Sequence, residues 1–334
     1  MTNQDYKILA DDLIHNAFNS DQTPRGKISD ERQYAELILR KLLAWDKEKQ
    51  LTLGDNKVKA AINATFDPID PSFTNFVIDA VETIRAPGNR DTHTQHRGVV
   101  TEQDLDTVTD AVFDLLASLF IDYFLHKYKP GSNLEVLSSF SLLPPIIRYK
   151  VWKYLYERGA GGSTDRTVID KLVLAILKSQ GKDGKDVQGG KDAALSWVEN
   201  HKEELASLKA VSAEAYERAK IKFGSAVAEK EYSKVPSMYK VCKDKIEDVS
   251  KQIEENGGLL YPDFETSKKY YLAKGILKGN EPEVVDFNDL MEFIYLGRKE
   301  ADVEVKPPMV TMRVEVPKIE DVIMDELMNS GESE

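Results

Sequence analysis

The chain has 334 residues, 41% hydrophobic and 31% charged, with 45 Lys and Arg against 57 Asp and Glu for a net charge of −12. At about 150 residues per domain this length suggests roughly two domains, and the composition excludes collagen-like, low-complexity and wholly disordered chains. The negative far field also excludes a general polyanion binder, so any affinity for nucleic acid has to come from a local positive site.

The N-terminal MTNQDYKILADD is polar and acidic and has no apolar core. The apolar stretch from Val112 to Leu125 is interrupted by Asp114 and Asp122. Neither secretion nor a membrane span is therefore expected. Cys242 is the single cysteine, which excludes an internal disulfide and a Cys-x-x-Cys metal pair and suits a reducing, cytoplasmic compartment.

In chain order, Ile28, Tyr34, Leu37, Ile38, Leu42 and Trp45 recur at three-and-four spacing, and so do Phe73, Phe76, Val77, Ala80, Val81 and Ile84. Each set marks one buried stripe of an amphipathic helix. A third and longer helix is predicted to start at Thr101, an N-cap with Asp104 three residues on. It continues through Leu105, Val108, Val112, Leu115, Leu116, Leu119 and Tyr123 to about Tyr128, before Pro130-Gly131. Phe113, Phe120 and Phe124 lie off its main face and offer apolar surface for a second copy of the chain or for cover by the second domain.

Pro144-Pro145 start a further helix that Gly159 to Ser163 end, and another spans about Val168 to Leu177. The soft stretch GKDGKDVQGG follows at 181–190, then helices near Ala193–Leu208, Ser212–Glu231 and Met238–Glu255, the last closed by Gly257-Gly258. GAGGST at 159–164 and GGKDA at 189–193 lack the spacing and lysine of a phosphate-binding loop. Near the end Val310, Met312, Val314 and Val316 alternate with Thr311, Arg313 and Glu315, which predicts a short strand, and an acidic amphipathic segment from Ile319 to Leu327 follows. That region is a candidate contact for a protein partner. The fold class read from these patterns is mainly α, with divisions at 1–130, 131–300 and 301–334.

Residues 85–98 hold three arginines and two histidines against one aspartate, inside an acidic surrounding. Guanidinium groups present forks of donors to phosphate oxygens, and imidazole exchanges protons near neutral pH. No set of metal ligands at suitable spacing accompanies them, so no metal or other cofactor is expected and the chemistry they suit is metal-independent phosphodiester cleavage.

Arg90-Asp91-Thr92-His93-Thr94-Gln95-His96 resembles the signature of the HEPN superfamily, an arginine, a polar residue and a histidine after four to six intervening residues. A second register, Arg85-Ala86-Pro87-Gly88-Asn89 to His93, resembles another form found in that superfamily, with seven intervening residues. The resemblance covers about residues 1–130. It implies a helical bundle, a homodimer with two facing loops, RNA as substrate and a 2′,3′-cyclic phosphate product, in a phage-defence or toxin–antitoxin setting. It also implies Arg90 as charge-balancing group and His96 as proton-transfer group, with Asp91 or Asn89 orienting them, or Arg85 and His93 in the other register. Lys150, Lys153 and Tyr154 are candidate additional contacts to RNA. The alternatives are a non-catalytic helical adaptor and a nucleotide-sensing subunit. His15, His126 and His201 have no arginine-rich context and read as structural.

Overall fold

The computed structural model describes residues 3–46, 49–89, 99–159, 165–179 and 186–306. Among them the chain is mainly α-helical, and its only strand-like pairing is an isolated antiparallel bridge between Lys209 and Ser237. The alternating run Val310 to Val316 and the segment Ile319 to Leu327 lie outside the described residues. No described helix is long and apolar enough to cross a membrane.

Contacts divide the chain into two units, and the first is discontinuous in sequence: 1–157 together with 263–305. The second is 158–262 with 306–334. These bounds differ from divisions at 130 and 300, because the residues that cover the first bundle come from both sides of the second unit.

The first unit opens with α1 (Asn3–Asn19), α2 (Pro24–Leu42), α3 (Asn56–Phe66), α4 (Pro71–Asn89) and α5 (Glu102–Asp122). Thr23 caps α2 ahead of Pro24, Asp55 caps α3, and Thr101 with Asp104 forms the expected capping box of α5. α5 is the hub, packed on α2 and α4 and buried nearly all round from Leu115 to Ile121. It ends in a π-helical turn, Tyr123–Lys127, rather than running as α-helix to Tyr128. In an α-helix residues five apart point away from each other, and a π turn returns them to one side. Tyr123 and Tyr128 accordingly sit with ring centroids 4.8 Å apart, Tyr123 donating to the Glu283 carbonyl and Tyr128 to the Asp286 carboxylate.

The unit continues through α6 (Leu134–Phe140) and α7 (Pro145–Gly159) and is completed by α14 (Phe264–Lys274) and α15 (Pro282–Ile294). The apolar residues off the main face of α5 are covered here. Phe120 meets Phe140 at 5.3 Å and Phe287 at 6.3 Å, Phe124 meets Phe140 and Trp152, and Phe113 meets Phe18 and Phe264. Of the two readings of Phe113, Phe120 and Phe124, these contacts favour cover from within the chain, largely by residues 131–300, over surface offered to a second copy.

The second unit contains α8 (Arg166–Ser179), α9 (Val187–Asn200), α10 (Lys202–Ser207), α11 (Ala213–Phe223), α12 (Ser225–Lys234) and α13 (Met238–Glu255). α13 packs on α8, α9 and α10 through Val241, Ile246, Val249 and Ile253, and it keeps the bounds its sequence predicts. The helix expected over Ser212–Glu231 is broken at Gly224, whose φ of 87° lies in the left-handed region. Cys242 is buried and its thiol is pushed up to about 12, mainly by desolvation, so it stays protonated and unreactive.

Candidate functional site

The direction of α4 against α5 follows from side-chain contacts. Phe73 near the start of α4 packs edge-on to His126 just beyond α5, with ring centroids 5.2 Å apart, and Phe76 meets Tyr154 of α7 at 5.0 Å. Lys150, one turn before Tyr154, reaches Asp110 at 2.9 Å and Asp114 at 2.7 Å in the middle of α5. The start of α4 therefore lies beside the end of α5, and the helices are antiparallel. The end of α4 at Asn89 and the start of α5 at Glu102 accordingly share the opposite end of the bundle.

Between the two helices runs a groove of about 460 Å³. Phe76, Asp79, Ala80 and Thr83 line it from α4, and Gln103, Asp106, Thr107, Asp110, Ala111 and Asp114 from α5. Both sets follow the three-and-four spacing of a single helix face. The groove is acidic, and its deepest carboxyl, Asp114, is held above the ordinary carboxylate range by burial, against the opposing pull of Lys150. Spacing alone puts these aspartates on one face, but nothing in the sequence says that a second helix leaves that face open.

Arg85, Asn89, Arg90, Asp91, His93 and His96 fare differently. The apolar stripe that predicts this helix ends at Ile84, whereas α4 continues to Asn89 with Pro87 inside it. Proline's fixed φ is compatible with a helix, but Pro87 has no N–H to give the Thr83 carbonyl, and α4 ends two residues later. Arg85 is therefore a helical residue: its guanidinium lies 2.7 Å from the Glu82 carboxylate one turn back. It also lines a shallow recess with Leu53, Gly54, Asn56 and Lys59. Asn89 is the last residue of α4. Arg90, Asp91, His93 and His96 lie outside the described residues.

Of the suggested additional contacts, Lys150 is 11% exposed and held by two aspartates, Lys153 lies 3.9 Å from Glu157, and Tyr154 packs on Phe73 and Phe76. Lys150 and Tyr154 thus stabilise the bundle rather than present themselves to a ligand. No family model, no curated protein and no solved structure matches the chain. Among the described residues no group of three or more His, Cys, Asp and Glu is arranged to hold a metal ion.

His126 occupies the far end of the bundle. Its Nδ1 is 2.9 Å from Asp122, and its Nε2 faces the Asp70 carboxylate at 3.9 Å. Asp70 itself accepts from the backbone N–H groups of Ser72 and Phe73 and so caps α4. The imidazole thus ties the start of α4 to the end of α5, which is a structural role.

Proposed function

We propose that the chain is a metal-independent endoribonuclease, or a ribonuclease-like effector, whose working groups are Arg90 and His96 on the segment joining α4 to α5. The observation that carries this reading is the antiparallel pairing of α4 and α5, which sets the two helix ends that flank the Arg- and His-rich stretch in sequence, Asn89 and Glu102, at the same end of a helical bundle. The engagement of Arg85 by Glu82 favours the Arg90–His96 register over Arg85–His93. In the proposed reaction the RNA 2′-hydroxyl attacks its adjacent phosphorus and the 5′-oxygen of the next nucleotide leaves. The products are a 2′,3′-cyclic phosphate and a 5′-hydroxyl. His96 carries the proton, Arg90 balances the charge of the pentacoordinate transition state, and Asp91 or Asn89 orients them.

A homodimer with two facing segments, and a setting in phage defence or a toxin–antitoxin pair, follow from the HEPN resemblance alone. The second reading is a non-catalytic adaptor or nucleotide-sensing subunit, and the acidic groove between α4 and α5 favours the adaptor, because Asp79, Asp106, Asp110 and Asp114 oppose the approach of an anion along it. Incubation of the purified protein with total RNA in EDTA separates the two. Discrete fragments with cyclic phosphate ends support the nuclease. Intact RNA, together with stabilisation by a nucleotide in a thermal shift, supports the sensor.

A further inference from the structure

Arg298 is one of the most enclosed cations among the described residues of the first unit, 5% exposed, and it does not line the groove. Its guanidinium is sandwiched between Phe264, 4.1 Å away, and Phe18, 4.3 Å away, so α1 and α14 both grip it. Gly297 makes the approach possible. Its φ of 68° is left-handed, and a Cβ there would fall 2.7 Å from the Ala10 carbonyl of α1.

The charges around this cation are few. Glu265 on α14 is 3.9 Å from Arg298, and the buried Tyr34 hydroxyl of α2 lies beside it. Glu31, one turn earlier on α2 and 1% exposed, accepts a 2.6 Å hydrogen bond from Thr109 of α5 through Oε1. Its Oε2 has no hydrogen-bond partner among the described residues. Lys27 on the same helix and Arg298 are the cations that act on it.

We infer that Glu31 and Arg298 form a proton-sensitive latch that fastens residues 263–305 to the helices α1, α2 and α5. With its proton, Glu31 is a neutral buried carboxyl that Thr109 satisfies in part. Without it, the site holds a carboxylate removed from water whose Oε2 has no hydrogen-bond partner among the described residues, and Arg298, the enclosed cation that acts on it, is already set against Glu265. Burial lifts the Glu31 carboxyl to about 7, against the opposing effects of Thr109, Arg298 and Lys27. A carboxyl raised in the docked state holds its proton more tightly there than when exposed. Docking is therefore fully favoured at low pH and weakens as pH rises to and through 7. An exposed carboxyl titrates near 4.5. The open population of the 263–305 segment should therefore grow roughly ten-fold between pH 6 and pH 8.

Hydrogen exchange of the full chain at pH 6 and pH 8, corrected for the intrinsic pH dependence of amide exchange, reads this opening over α14, α15 and residues 295–301. The wild type should open more at pH 8, and Glu31→Gln, which keeps the shape without the charge, should open equally at both. Thr109→Val removes the hydrogen bond that favours the ionised form, so its transition should move to higher pH and keep the test available if Glu31→Gln does not fold. Equal protection of the wild type at both pH values overturns the latch. So does an unchanged pH response in Glu31→Gln, or an unmoved midpoint in Thr109→Val.

Discussion

Lys150 neutralises two aspartates that α5 places on one face a turn apart, and it does so while 11% exposed. Replacing it with methionine keeps the packing and leaves Asp110 and Asp114 facing each other. The expected cost at pH 7 is about 2 kcal/mol, less than for a fully buried pair because Asp110 is well solvated. The pH dependence has a definite sign. Asp114 is already raised, and losing Lys150 raises it further, so the deficit of Lys150→Met should shrink as pH falls toward 5 and grow above it. Urea melts at several pH values give the answer, and a deficit that deepens on acidification contradicts the pairing. Arg85, Arg90 and His96 give the residue-scale test of chemistry. Arg90→Ala should lower RNA cleavage by about two to three orders of magnitude and His96→Ala by about 10²–10⁴-fold. Arg85→Ala, removing a group already committed to Glu82, should leave cleavage within a few-fold of the parent. A nuclease crippled by Arg85→Ala and indifferent to Arg90→Ala would place the reaction in the other register.

At the scale of elements, legibility depended on whether the chain announces its own ends. Thr101 with Asp104 marks the start of α5, and Ser237 with Gly257 and Gly258 brackets α13, so these helices are readable from sequence. α1 is fainter because its buried stripe, Tyr6, Ala10, Ile14 and Ala17, alternates large residues with alanine. The break between α11 and α12 depends on a fold-back that periodicity does not encode. Gly224 reverses the chain, Tyr216 stacks on Tyr232 at 4.2 Å, and Ala219 and Ala228 are buried with Val211 between the arms. Gly224→Ala meets no atom but must adopt φ 87°, at an expected cost of about 1–2 kcal/mol. The loss should appear as faster hydrogen exchange in 211–235; equal protection would mean the turn relaxes without strain. For the candidate site, composition flags the Arg- and His-rich segment. The acidic groove between α4 and α5 is invisible in sequence because it exists only where two helix faces meet.

For the whole molecule, the discontinuity of the first unit decides what can be cut. A fragment ending at Ser132 keeps α5 but loses Phe140, Trp152 and Phe287, which cover Phe120 and Phe124. It should aggregate or remain expanded rather than form a defined dimer, and light scattering with near-ultraviolet circular dichroism would show which. A soluble, well-packed fragment would mean that α6, α7 and α15 are dispensable cover. The same arrangement sets a schedule during synthesis. Phe124 leaves the ribosome roughly 160 residues before Phe287, which at about 5–20 residues per second leaves α5 waiting on the order of ten to thirty seconds for its last partner. Residues 158–262 emerge within that interval and can complete their own core first. The nascent chain therefore carries the sides of α5 at Phe113 and Phe120 without α14 and α15 while the later unit matures, an exposure set by the topology rather than by the sequence's overall hydrophobicity.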